Sequence, residues 1–219
     1  HTRLRTVTGV QTCALPILSH EFRTPLGIIL SSAEILDSYL ERLPAERRRQ
    51  HLQAIQQATR QMAGFMEEVL VLSRSEAGQL DFRPAPLDIS AQCQRIAEDV
   101  SSATRHRCRL RVQLEPGLPE AQADASLVRH ILTNLLTNAV KYSPAGGQIE
   151  LTLRAHEGGL ELSVRDQGIG IPAADVGSVF QAFHRGRNVA DTPGTGLGLM
   201  IVQRCVELHR GRVGFTTSE

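Results

Sequence analysis

His20, Glu21 and Thr24 are residue types that can do chemistry together, and one helical turn would gather them. A neutral imidazole keeps a lone pair on one ring nitrogen and can attack an electrophile. Its other nitrogen needs a partner that fixes the tautomer. Glu21, the adjacent residue, can supply that acceptor and stabilise charge on the ring. Thr24 follows four residues after His20, so a helix places it on the same face, where its hydroxyl could position a water. Pro25 removes a backbone donor, and a bend is expected just beyond it.

A second constellation lies far along the chain. Asn134 and Asn138, four apart, send two amides in the same direction from one helix. Their carbonyl oxygens suit Mg²⁺, which takes oxygen ligands and shares itself between protein and phosphates. They add no negative charge beside a nucleotide. Asparagines on an otherwise apolar helix are costly if buried without partners, which argues for a role. Lys141 can approach phosphate as a point charge, and Tyr142 can contact a base or sugar. Asp166 ends an alternating run and precedes Gly168 and Gly170. A carboxylate there can accept the exocyclic amine of adenine, a donor that guanine lacks at that position. Gly194, Gly196 and Gly198 flank a helix start, where exposed amides favour phosphate oxygens. Arg185 stands close enough in sequence to reach a γ-phosphate. No Gly-Lys-Ser/Thr follows, so this is not a Walker loop, and no strand–turn–helix unit with a downstream acid makes it a Rossmann fingerprint.

These residues need elements to position them. Phe22, Leu26, Ile29, Ala33, Leu36, Leu40 and Leu43 recur in steps of four and three, as do Leu52, Ile55, Thr59, Met62, Met66, Val69 and Leu72. The pattern is the seam of an antiparallel helix pair that turns at Leu43-Pro44-Ala45. Two helices cannot bury both apolar faces, so a homodimeric four-helix bundle is expected; packing against another part of the same chain is the alternative. Pro84 and Pro86 mark a linker. Beyond it, helices are expected over Ile89–Thr104, from the N-cap Asp124 to Tyr142, and over Gly196–Leu208. Strands are expected over Arg109–Glu115, Gln148–Ala155 and Leu160–Asp166, the last two joined by a hairpin at Glu157-Gly158-Gly159. Gln181–Gly194 reads as a mobile stretch, and Gly211–Glu219 as the beginning of another strand.

A chain of 219 residues accommodates two compact units. Its formal charge of +1 argues against a nucleic-acid surface or a polybasic membrane surface. No apolar run approaches the ~20 residues of a spanning helix. Cys93, Cys108 and Cys205 are dispersed, lack metal-ligand spacing and read as buried or free thiols of a reducing compartment.

Taken in order, Ser19–Leu26, Asn134–Tyr142, Asp166–Gly170 and Gly194–Leu199 resemble the H box, N box and two glycine boxes of bacterial sensor histidine kinases. The resemblance covers nearly everything from Leu18 onward. It implies an α+β chain: a helical-hairpin dimerisation domain over residues 18–77, a linker over 78–86, and an α/β-sandwich ATP-binding domain of Bergerat type over 87–219, lacking a final strand. It implies ATP and Mg²⁺ as cofactors, His20 as phosphoacceptor, Asn138 as the more direct metal ligand and Asn134 as its support. Phe180 and Phe183 match the F box and are expected to be packing anchors for a lid. The implied partners are a second copy and a response-regulator receiver domain, with no nucleic acid. The Glu21-x-x-Thr24 pattern resembles that of kinases that also dephosphorylate their regulator. The implied setting is a cytoplasmic core whose parent is anchored in the inner membrane through upstream segments.

Two other function classes remain open at this point. One is an ATP-binding dimerisation and docking module without kinase activity. The other is a non-kinase ATPase of the same superfamily, but such relatives place an acid in the asparagine helix, and Arg129–Asn134 holds none. Residues 1–17 resemble the in-frame translation of a sequencing adapter and are read as an artefact. They are expected to be disordered, or to extend the first helix no further than Pro16. Without Arg3 and Arg5 the formal charge of +1 falls by two, to −1.

Overall fold

The computed structural model describes residues 11–78, 80–189, 192 and 194–217; over residues 11–18, at His20 and at Glu76 it describes the backbone alone. The adapter-like residues 1–10 lie outside the described residues. The chain divides into two units. One runs to Ser73 and takes in Thr192–Thr195; the other takes in Arg74–Asp191 and Gly196–Glu219.

The first unit is a helical hairpin. Helix α1 spans Gln11–Tyr39 and α2 spans Ala45–Glu76. Pro44 stands just before α2, where its missing N–H costs nothing. The expected stop at Pro16 is corrected: α1 runs through both Pro16 and Pro25 without interruption. Each proline removes a single ladder bond, and the helix has many others on either side. The side chains that close the hairpin on itself are Pro25, Ala58, Phe65 and Val71, all buried. Phe22 meets Phe65 with ring centroids 4.7 Å apart. Much of the periodic seam stays uncovered within one chain: Leu26, Leu40, Leu52 and Met66 are each about half exposed. An open apolar groove of ≈ 740 Å³ near the turn is lined by Leu36, Leu40, Leu52 and Ile55 among others.

The second unit is an α/β sandwich. Strands β2 (Arg109–Leu114), β4 (Gln148–His156) and β5 (Gly159–Arg165) form a mixed sheet with β4 in the centre. β2 runs parallel to β4, and β5 runs antiparallel to it. Ile149, Leu151 and Leu153 alternate along β4 and are essentially inaccessible, so one face of the sheet is core. Helix α3 (Ile89–Ala103) buries Ile89, Cys93, Ile96, Ala97 and Val100 in the same cluster. Helix α4 (Ala125–Tyr142) adds Leu132, Leu136, Ala139 and Val140. Helix α5 (Gly198–Leu208) packs beside α4 and buries Met200, Ile201, Val202 and Cys205.

Both long helices of this unit are capped by aspartate. Asp88 Oδ1 accepts from Ala91 N at 2.9 Å. Asp124 Oδ1 accepts from Ser126 N at 2.9 Å and Leu127 N at 3.2 Å, and its Oδ2 accepts from Arg83 N at 2.9 Å. Asp124 therefore fixes the start of α4 and ties it to the incoming linker.

Three expectations are corrected. The linker prolines do not stay outside the fold: Ala85–Leu87 forms β1, which pairs antiparallel with β3 (Ala121–Ala123) in a small second sheet. Pro86 is tolerated because the sheet has only two strands, so both are edges. The part of Gln181–Gly194 that reaches Val189 is organised rather than loose, with a 3₁₀ turn over Arg187–Val189. Finally, residues 211–217 form no strand. Among the described residues they have no ladder partner; Gly211 N donates to Val206 O at 2.9 Å, Phe215 sits 6.0 Å from Phe180 between ring centroids, and Thr217 Oγ1 accepts from Ile171 N at 2.9 Å.

Candidate functional site

Helix α4 has two faces. Leu127, Leu132, Leu136 and Val140 point into the core, and the other face carries Asn134, Asn138 and Lys141, all half-buried. The burial follows directly from the period of the apolar residues. Asn134 Nδ2 donates to His130 O at 2.9 Å, which fixes the amide and directs its Oδ1 away from its own helix. That oxygen faces the first residue of α5. A Cβ on Gly198 would lie 2.6 Å from Asn134 Oδ1 and 3.7 Å from Asn138 Nδ2. Only a residue without a side chain lets the start of α5 come this close to the asparagine pair. Asn138 makes no hydrogen bond through its side chain to the described residues.

The start of α5 suits an anion. Its N-cap residue, Leu197, has no side chain able to cap it, and its first turn holds no acid. Its leading amides and the helix dipole together favour a negatively charged oxygen. Gly196, two residues earlier, accepts from Phe183 N at 3.0 Å through its carbonyl, joining this loop to the F-box segment.

The C-terminal end of α4 meets the Asp166 loop. Asp166 is exposed, and its Oδ1 accepts from Gly168 N at 2.7 Å. Gly168 lies against the last turn of α4, where a Cβ would approach Tyr142 O to 3.0 Å. Lys141 Nζ donates to Tyr142 Oη at 2.9 Å and stands 4.6 Å from the centroid of that ring. The loop is held on its far side as well, because Gln167 Oε1 accepts from Gln148 N at 3.1 Å.

Helix α4 thus gathers about half of the expected residues. Asn134, Asn138 and Gly198 adjoin, as do Tyr142, Asp166 and Gly168. Gly170 is tied instead to the turn at Arg187–Val189, its carbonyl accepting from Asn188 Nδ2 at 3.2 Å. Arg185 Nη2 donates to Val189 O at 2.8 Å on the following turn. Gly194 groups instead with the helical unit. Glu21 and Thr24 lie on α1, Glu21 half-buried and Thr24 exposed, and both have interaction partners. His20 is on the same helix, but its side chain lies outside the described residues.

Sequence reasoning missed Asp175, Asn188 and Gln167. Asp175 had a faint signal, an acid three residues after Pro172 in a turn-forming run. Asn188 and Gln167 act through single hydrogen bonds across loops and leave no periodic trace.

A family model for the His Kinase A (phospho-acceptor) domain matches residues 14–78. A second, for the histidine kinase-, DNA gyrase B- and HSP90-like ATPases, matches residues 123–219. The chain belongs to the sensor histidine kinases. Sensor histidine kinase AruS of Pseudomonas aeruginosa is 37% identical over 212 residues, which is 91% of this chain and 20% of that protein. Among solved structures, full-length ShkA in complex with AMPPNP has a TM-score of 0.66 and 32% identity, over 94% of this chain and 43% of that one. The mycobacterial sensor histidine kinase MprB has a TM-score of 0.52 and 33% identity, over 57% of this chain and 82% of that one. The chain spans 33%, 41% and 58% of three of its curated relatives. In this kinase core no helix among the described residues is long and apolar enough to cross a membrane.

Proposed function

We propose that this kinase core binds ATP on helix α4, transfers the γ-phosphoryl group to His20, and passes it on to an aspartate of a response-regulator receiver domain. The observation that carries the reading is the close approach of Gly198 to Asn134 and Asn138 along the middle turns of α4, with the Asp166 loop seated against the last turn. An ATP molecule laid along α4 would meet a carboxylate for its adenine amine first and amides with oxygen donors for its phosphates last. A non-kinase ATPase would need an acid on that helix to activate water, and α4 contains none.

Each residue then has a chemical task. Asp166 accepts from the adenine amine while its Oδ1 holds the Gly168 turn. The first amides of α5 take phosphate oxygens, and Lys141 supplies positive charge nearby. Asn138, whose amide makes no hydrogen bond to the described residues, and Asn134 would hold Mg²⁺ through carbonyl oxygen. When bound, the ion neutralises charge on the phosphates. Arg185 draws on the γ-phosphate during transfer. The His20 lone pair attacks phosphorus and the bond to the ADP oxygen breaks. Glu21 holds the remaining ring proton and stabilises the positive ring. The transition state is loose, so alignment and electrostatics do most of the work. Thr24 positions the water that hydrolyses the regulator's phosphoaspartate.

The half-exposed Leu26, Leu40, Leu52 and Met66 support a homodimer in which two hairpins form a four-helix bundle. The core would sit in the cytoplasm beneath an anchored parent. With MgATP labelled at the γ-phosphate, the chain should become labelled and should pass the label to a receiver domain; ATP labelled at the α-phosphate should leave it unlabelled. Nucleotide binding without any label would leave only a docking module.

A further inference from the structure

Asp175 is a carboxylate that the reaction does not use, yet it is one of the few charged residues of the second unit to be buried, at 4% exposed. It lies on the turn after Pro172, whose carbonyl accepts from Asp175 N at 2.8 Å. Its Oδ2 accepts from the backbone N–H of Arg187 at 2.9 Å. Two cationic or titratable groups stand further out: His184 Nε2 is 3.8 Å from Oδ1, and Arg187 Nε is 3.9 Å from it. Neither of these is a hydrogen bond by distance. The one strong attachment of this carboxylate is therefore to the main chain of the F-box segment.

That segment is under strain. Phe183 has a φ of +62°, a left-handed conformation that disfavours a bulky side chain. Such a residue keeps its conformation only where its surroundings over-determine it. Phe183 N donates to Gly196 O at 3.0 Å on one side. On the other side the chain turns through His184, Arg185 and Gly186 before Arg187 N reaches Asp175. Gly186 leaves no room for a side chain: a Cβ there would lie 2.9 Å from Asn188 Oδ1 and 3.6 Å from Asp175 Oδ2. Arg185 is thus held between two fixed points, Phe183 and Arg187, and its guanidinium is oriented onward by Val189 O.

We propose that Asp175 is the positioning residue for Arg185: by accepting from Arg187 N it fixes the turn that aims the guanidinium at the transferring phosphate. The proposal rests on the phosphate role of Arg185 given above. The working feature of Asp175 is its acceptor oxygen, since its only hydrogen-bond partner in this segment is a neutral N–H. Asparagine retains that oxygen in the same place, and alanine does not.

The test measures autophosphorylation rates and amide hydrogen exchange over residues 183–189 in the same proteins. Asp175→Ala should speed exchange across this segment and lower kcat about tenfold while raising the KM for ATP less than threefold. Asp175→Asn should recover most of the lost rate. The double variant Asp175→Ala, Arg185→Ala should be no slower than Arg185→Ala alone, because a positioning residue has nothing left to position. Additive losses would overturn the proposal, as would an asparagine variant as slow as the alanine one. Unchanged exchange in Asp175→Ala would show that the carboxylate does not hold the turn. A wild-type rate in Arg185→Ala would instead remove the arginine's own role. If Asp175→Ala does not fold, the asparagine variant decides: slow transfer with native exchange contradicts the acceptor role.

Discussion

Gly198 lies so close to Asn134 that a Cβ on it would stand 2.6 Å from the asparagine's Oδ1. Asn134 is held by His130 O and cannot turn away without losing that bond. Gly198→Ala should therefore displace the start of α5 or the asparagine amide. Helix propensity favours alanine, so the melting temperature should change little. Affinity for an ATP analogue should fall at least tenfold, about 1.4 kcal/mol, in a calorimetric titration. Unchanged affinity would separate the α5 start from the phosphates.

Asp166→Asn isolates recognition of the base from loop structure. The asparagine oxygen can still accept from Gly168 N, so the turn survives. The charge and the free acceptor edge are lost. Nucleotide affinity should drop by tenfold or more in the same titration, while sedimentation shows the same association state. A fall in both would mean that the substitution had unfolded more than the base site.

Thr24→Ala should impair regulator dephosphorylation more than autophosphorylation. A positioned water needs the hydroxyl, and attack by an imidazole does not. Rates of both reactions, taken on one preparation, separate the two roles. Equal losses would point to a structural threonine.

Stability should fall at both ends of the pH range for identifiable reasons. Burial pushes the Asp124 carboxyl up, but hydrogen bonds from Arg83 N, Ser126 and Leu127 N outweigh it and leave the pKa below its ordinary 3.8. A depressed carboxyl stabilises the fold above its unfolded pKa, and that contribution is lost as pH falls through the folded value. Asp124→Ala should cost roughly 1–2 kcal/mol at pH 7, and the difference from wild type in urea melts should shrink below pH 4. At the alkaline end, burial and then Asp88 push the Cys93 thiol up to about 11, and burial and then Asp124 push Cys205 up to about 12. Raised thiols stabilise the fold below the unfolded value of 9.0, and that support disappears as pH climbs through the folded values. Native protein at pH 8 should accordingly resist alkylation at both cysteines, with full reaction only after denaturation.

The periodic elements were legible because their burial repeats. The apolar spacing in α3 and α4, the alternation of Ile149, Leu151 and Leu153, and the caps at Asp88 and Asp124 all write themselves into the chain. The asparagine face of α4 stood out for the opposite reason, as polar residues set against an apolar repeat. What stayed hidden depends on single long-range bonds. Pro84-Ala85-Pro86 reads as a linker because proline disfavours strands, and only the partner strand at Ala121–Ala123 makes β1. Asp175 looks like an ordinary turn residue until Arg187 N is seen to reach it. Gly211–Thr217 alternates as a strand would, but alternation cannot supply the missing ladder.

The most direct test of the account is where the γ-phosphoryl group ends up. The chain and its His20→Gln variant are incubated with γ-labelled MgATP, and the label is followed through acid and base treatment. The wild-type chain should carry label that is lost in acid and retained in base, and His20→Gln should carry none although it binds ATP with undiminished affinity. Label retained on His20→Gln, or label on the wild-type chain that survives acid, would contradict the account.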